Sequence, residues 1–147
     1  MEYLEAIRNN TVLINAVIAW ALAQFLKVLI EILKAKRLKF GLMLSTGGMP
    51  SSHSSFMAAM ATSVGLSAGF DSIIFAVAAA ISLVVMSDAA GVRRAAGKQA
   101  KVINSLVENI ENTGIVLDKK LKELLGHTPI EVACGALLGI LVAILMT

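Results

Sequence analysis

Two histidines, His53 and His127, are the side chains of this sequence best suited to proton or phosphoryl chemistry. Each lies beside one of the chain's only two prolines, in Gly47-Gly48-Met49-Pro50-Ser51-Ser52-His53 and in His127-Thr128-Pro129-Ile130-Glu131, where an apolar stretch begins. Proline suits the first turn of a helix, and the free N–H groups of a helix start favour an anion such as phosphate. The pattern indicates proton or phosphoryl chemistry on an anion. The alternative is that both prolines only begin helices and the histidines are incidental.

The composition is that of a membrane protein. Hydrophobic residues make up 57% of the 147 residues, and the mean hydropathy is +0.80, both far from the values of a soluble domain. This length predicts a single domain, residues 1–147. The lone Cys134 excludes a disulfide within the chain. The net charge of +3 is modest, and we expect a membrane rather than a nucleic acid as the partner.

Four stretches are apolar enough to cross a bilayer, which requires about 20 residues. They are residues 13–33, 52–70, 72–92 and 129–146. Residues 98–125 differ, because apolar side chains recur there at helical spacing among lysines, as in an amphipathic helix at a membrane surface. A helical hairpin packed on the bundle is the alternative for this segment. The expected fold is an all-α integral membrane bundle of about four transmembrane helices with an amphipathic interfacial insertion.

The basic residues predict the orientation of this bundle. Eleven of the thirteen Lys and Arg lie in the two segments between spans that share one side, or at their margin, whereas only Arg8 lies on the other side. The positive-inside rule makes the crowded side cytoplasmic. We therefore expect an integral protein of the cell (inner) membrane, with both histidines facing the cytoplasm.

Charged residues within the spans are costly and often functional. Lys27 and Lys34 are seven residues apart and share one helix face. Glu31 lies between them, four residues after Lys27, a spacing that allows an ion pair. Two interpretations are open. These residues form a phosphate site, or they are structural, with a Lys27–Glu31 pair and with Lys34 reaching the interface.

The third predicted span has Asp88 near its end and is followed directly by Arg93 and Arg94. An Asp–Arg pair can aim a guanidinium at a phosphate, although the arginines can also serve only as interfacial anchors. Glu131 is likewise ambiguous, because Thr128 and Glu131 have the spacing of a capping box while Glu131 is also placed to orient His127.

These motifs together resemble a known superfamily. Pro50-Ser51-Ser52-His53 and His127-Thr128-Pro129-Ile130-Glu131 are similar to two motifs of the type-2 phosphatidic acid phosphatase and vanadium haloperoxidase superfamily. Lys27 with Lys34 resembles its first motif. The match is nearest to a divergent membrane branch that carries Gly-Gly-Met-Pro-Ser-Ser-His and Asp-Ala-x-Gly-Val-Arg-Arg, which here reads Asp88 to Arg94.

The resemblance implies a membrane phosphatase that uses neither metal nor cofactor. His127 would attack the phosphorus and form a phosphohistidine, oriented by Glu131, while His53 would protonate the leaving group. Asp88 would orient an arginine. The phosphate would be held by Lys27, Lys34, Ser51, Ser52, Arg93 and Arg94. The expected substrate is a phosphomonoester or diphosphate of a lipid. The alternative is a lipid-phosphate binding or transport protein without turnover, and a homodimer is expected because four spans are few for enclosing a polar site.

Overall fold

A computed structural model describes residues 1–35, 48–111 and 126–147 of the chain. Every regular element in these ranges is an α-helix, which confirms the predicted all-α class. The elements are α1 (Glu2–Arg8), α2 (Thr11–Ala35), α3 (Ser52–Ala68), α4 (Ile73–Ala90), α5 (Val92–Glu111) and α6 (Pro129–Met146). The short helix α1 was not predicted, because seven residues are too few to show an apolar period.

Helix α3 lies at the centre of the bundle and packs against α2, α4 and α6. Its closest approach is to α6, where two glycines one turn apart face it. A Cβ atom on Gly135 would overlap the carbonyl group of Ser51, and one on Gly139 would overlap that of Ser55. Small residues allow helices to pack this closely in lipid, where burying apolar surface against another helix yields little by itself. Many large apolar side chains therefore remain on the outer surface, facing outward.

Three stretches of the described chain are long and apolar enough to cross a membrane: Thr11–Leu33, Ile73–Glu108 and Pro129–Met146. Helix α3, the second predicted span, has 17 residues and carries buried serines. At 1.5 Å per residue its length is about 26 Å, close to the ~30 Å of a bilayer core. The integral membrane bundle is thus confirmed, with α3 as the shortest and most polar of its four apolar helices.

The ends of the helices define two ends of the bundle. At one end, Asn15 near the start of α2 donates hydrogen bonds to Ser63 Oγ (3.0 Å) and to Thr147 Oγ1 (3.1 Å), just after α6. The turn from α3 to α4 lies at this end too, with Gly69 at a φ of +91° and Ser72 capping α4. The end of α2 and the starts of α3 and α6 consequently lie at the opposite end.

The predicted boundaries hold to within two residues for the four apolar helices. The amphipathic segment begins earlier than predicted, because α5 starts at Val92 and not at residue 98. Only Gly91 separates it from α4, and the Gly91 N–H group still donates to the Ser87 carbonyl (2.8 Å). Residues 93–97 carry no apolar period, so the sequence could not indicate this earlier start. Residues 112–125 of the predicted segment lie outside the described residues.

Candidate functional site

The start of α6 is held by a reciprocal cap. Thr128 Oγ1 accepts from the Glu131 N–H group (3.3 Å), and Glu131 Oε2 accepts from the Thr128 N–H group (2.8 Å), with Pro129 opening the helix. The capping box expected from the sequence is therefore present. It places the carboxylate of Glu131 at the first turn, beside the residue that precedes the cap.

That residue is His127, and its ring is buried, with 3% of the residue exposed. Nδ1 lies 3.4 Å from Glu131 Oε2, while the backbone N–H group donates to the Ala89 carbonyl at the end of α4 (3.2 Å). Nε2 is shielded from solvent and meets no hydrogen-bond partner among the described residues. The site thus presents one imidazole nitrogen to a carboxylate and leaves the other, buried nitrogen without a hydrogen-bond partner among the described residues.

The electrostatics of His127 favour the neutral imidazole. Burial lowers the pKa of His127, and this effect outweighs the hydrogen bond and the negative charge of Glu131, which raise it. The positive charges of Lys27 and His53 lower this pKa further, so both side chains lie within electrostatic reach of the His127 ring. A neutral ring that donates from Nδ1 to Glu131 carries its lone pair on Nε2, as a nucleophile requires.

The start of α3 lies directly against the start of α6. The Ser51 N–H group donates to the Glu131 carbonyl (3.0 Å), and Ser51 Oγ accepts from the N–H (3.4 Å) and hydroxyl (2.9 Å) groups of Ser54. Ser51 and Ser52 are buried, whereas His53, the second residue of α3, is exposed. The segment that carries His53 is therefore attached by a backbone hydrogen bond to the turn that follows His127.

Lys27 comes from α2 and lies beneath the segment that leads into α3. It is 3% exposed, and a Cβ atom on Gly48 would stand 3.4 Å from Lys27 Cγ. Gly48 also has a φ of +95°, a conformation that favours glycine. The opposite charges of Lys27 and Glu131 interact across this region.

A cleft of about 330 Å³ opens beside Lys27. Its lining residues are Lys27, Ile30, Glu31, Gly48, Met49, Thr128, Ile130 and Glu131. Neither histidine lines it, but Glu131, whose Oε2 lies 3.4 Å from His127 Nδ1, does. The cleft therefore shares a wall with the His127–Glu131 pair.

The end of α4 and the start of α5 bring the remaining predicted residues towards this end of the bundle. Asp88 is half-buried next to Ala89, whose carbonyl binds the His127 backbone, and Arg94 is exposed in the first turn of α5. The side chains of Arg93 and Lys34 lie outside the described residues. The fold thus gathers six of the predicted positions at one end of the bundle, with Asp88 adjoining them. These six are Lys27, Ser51, Ser52, His53, His127 and Glu131.

Four residues of this region were not singled out from the sequence. Ala89 acts through its backbone, which no sequence pattern reveals. Gly48 was noted only as part of a motif, although a Gly-Gly pair such as Gly47-Gly48 is a known turn signal. Gly135 and Gly139 are four residues apart, a spacing that could have indicated the close crossing with α3.

These features define an all-helical membrane protein with a buried histidine–glutamate pair and a buried lysine at one end of its bundle. Residues 8–142 match the Divergent PAP2 family, and the chain belongs to this family, as its motifs predicted. It is also 45% identical to the "Uncharacterized membrane protein YuiD" of Bacillus subtilis (strain 168), over 94% of each chain. No solved structure matches the chain.

Proposed function

We propose that the protein hydrolyses a phosphomonoester or diphosphate of a membrane lipid through a phosphohistidine on His127. The observation that carries this proposal is the state of the His127 ring. Nδ1 faces the Glu131 carboxylate, Nε2 has no partner within the described part of the chain, and burial keeps the ring neutral. This is the arrangement that an imidazole nucleophile needs.

In the first step, His127 Nε2 forms a bond to phosphorus while the bond from phosphorus to the lipid oxygen breaks. His53 donates a proton to the leaving alkoxide and then takes one from a water molecule. That water attacks phosphorus, the P–N bond breaks, and inorganic phosphate leaves with His127 restored. Glu131 stabilises the ring while it carries positive charge.

Positioning and charge neutralisation are most of what phosphoryl transfer requires of a protein. We assign the binding of the phosphate oxygens to Lys27 and Lys34, to the backbone N–H groups around Ser51 and Ser52, and to Arg93 or Arg94. Asp88 orients the arginine in this scheme. Because Nε2 is shielded, a phosphoryl group reaches it only when neighbouring atoms move aside.

A second function, lipid-phosphate binding or transport without turnover, is favoured by one observation. The cleft beside Lys27 is lined by neither histidine, so a headgroup held there by Lys27 would not touch Nε2. Such a protein would bind the lipid and release no phosphate.

The basic residues support a cytoplasmic site in the inner membrane. Eleven of thirteen Lys and Arg belong to segments on the side of the histidines. Cysteine substitutions at position 40 and at the exposed Gln99 test this orientation, since an impermeant reagent should not label them in intact cells. Labelling from outside would reverse the orientation.

Phosphate release from a panel of lipid phosphates by the purified protein tests the main proposal. Hydrolysis predicts release by the wild type, none by His127→Ala, and residual activity in His53→Ala, since a general acid contributes ~10²–10⁴-fold. Radiolabelled lipid phosphate should also leave label on His127 that survives base but not acid. Lipid binding without release or labelling would establish the second function instead.

A further inference from the structure

Helix α5 has three distinct faces. Gly97 and Ala100 are buried. Val102, Ile103 and Leu106 form an apolar face and are 61%, 44% and 57% exposed. The third face is basic. A helix with adjacent apolar and basic faces, both exposed, matches a boundary between hydrocarbon and charged headgroups.

The basic face is a row formed by Arg94, Lys98 and Lys101. Intervals of four and three residues place these side chains along one line of the helix, and all three are exposed. The acidic residues of α5, Glu108 and Glu111, come only at its far end. Positive charge is therefore concentrated in the half of α5 that adjoins α4.

The combined length of α4 and α5 indicates where α5 lies relative to the bilayer. The apolar stretch Ile73–Glu108 has 36 residues, and at 1.5 Å per residue it would be about 54 Å long, well beyond the ~30 Å of a bilayer core. Helix α4 alone, with 18 residues, spans about 27 Å. Helix α5 consequently begins where the chain reaches the membrane surface.

We propose that α5 is a binding site for acidic phospholipids of the bilayer. Arg94, Lys98 and Lys101 bind the headgroup phosphates, and the apolar face rests on the upper acyl chains. A shallow groove of about 380 Å³ joins the two faces and is lined by Lys98, Gln99, Val102 and Ile103. The charge of the row selects an acidic lipid surface over a neutral one. Lys98 and Lys101 take no part in the proposed hydrolysis at His127, whereas Arg94 adjoins both sites.

The test uses the full chain in lipid bilayers with a single tryptophan on α5, through Trp20→Phe and Val102→Trp. Lipids brominated near the top of the acyl chain should quench this tryptophan strongly, and lipids brominated near the chain end should quench it weakly. Brominated phosphatidylglycerol should bind beside it more tightly than brominated phosphatidylcholine. Lys98→Gln with Lys101→Gln should reduce that preference by roughly 25-fold, about fivefold for each cation.

Two comparisons make the result decisive. Arg8→Gln, in α1, should leave the preference for phosphatidylglycerol unchanged. Added salt should abolish this preference in the protein that retains Lys98 and Lys101. Equal quenching by the two brominated lipids would overturn the acidic-lipid site. Absence of quenching by either lipid would also overturn it, because α5 would then not contact the acyl chains.

Discussion

Replacing Glu131 by glutamine separates the two roles that its carboxylate can have. Glu131 Oε2 accepts from the Thr128 N–H group at 2.8 Å and lies 3.4 Å from His127 Nδ1. The oxygen of a glutamine can still accept from Thr128, at a cost of about 1 kcal/mol for exchanging a charged acceptor for a neutral one. It cannot stabilise the imidazolium, and its NH₂ group favours the tautomer with the proton on Nε2.

We therefore expect Glu131→Gln to fold and to lose most of its activity. Loss of the orienting carboxylate in a comparable histidine–carboxylate pair costs ~10⁴-fold. The 3.4 Å contact is longer than an ordinary hydrogen bond, so we expect a smaller loss of about 10³-fold in kcat/KM. This corresponds to about 4 kcal/mol of transition-state stabilisation.

Thr128→Ala is the matched control, because it removes the other half of the cap and leaves the carboxylate in place. Losing the Thr128 side chain should cost about 1 kcal/mol of stability, measured as a lower thermal midpoint in detergent, with kcat/KM within about tenfold of wild type. If Glu131→Gln also keeps kcat/KM within tenfold of wild type, Glu131 is only a helix cap and the proposed mechanism fails.

The pH profile gives a second readout of the same substitution. The nucleophile must be neutral, so activity should fall as pH drops through the pKa of His127. Burial lowers this pKa and Glu131 raises it. Removing the negative charge should therefore lower the pKa further and move the acidic limb of kcat/KM to lower pH. A limb that moves to higher pH would contradict the assignment of this titration to His127.

Four further substitutions test the site and the packing of the bundle. Gly135→Ala should destabilise the protein by about 1–3 kcal/mol and reduce activity, because the methyl group of the alanine would overlap the Ser51 carbonyl. Gly139→Ala, one turn away, should destabilise the protein similarly and leave kcat unchanged. Lys27→Met keeps the volume and removes the charge, so lipid-phosphate affinity in a binding assay should fall about 10–100-fold. Asn15→Ala should lower stability by about 1 kcal/mol and leave activity unchanged, since it lies at the opposite end of the bundle.

Local signals in the sequence were sufficient to predict where the apolar helices begin. Pro129 and the Thr128–Glu131 spacing marked the start of α6, whereas Pro50, expected in the first turn of α3, lies just before its cap Ser51. These signals act within one turn of the chain, so they do not depend on contacts with distant segments. The same locality explains the one boundary that was wrong: nothing between residues 92 and 98 distinguishes an earlier helix start.

Contacts between distant segments could not be predicted in this way. The packing of Lys27 under Gly48 and the hydrogen bond from His127 to the Ala89 carbonyl depend on how four helices meet. The sequence showed which side chains were unusual for a membrane segment, but not how they would be arranged. The homodimer, and the assignment of phosphate to one of the two arginines, stay predictions.

The Ala89 hydrogen bond bears on the order of the motifs in this family. In the wider superfamily that the chain resembles, an arginine precedes the nucleophilic histidine closely, whereas here Arg93 and Arg94 lie more than thirty residues before His127. The fold removes most of that separation, because the end of α4 holds the backbone of His127 directly (3.2 Å). A motif on α4 and α5 can therefore act beside His127, whatever the length of chain between them. The segment that intervenes is then free to carry a separate role, such as the lipid binding proposed for α5.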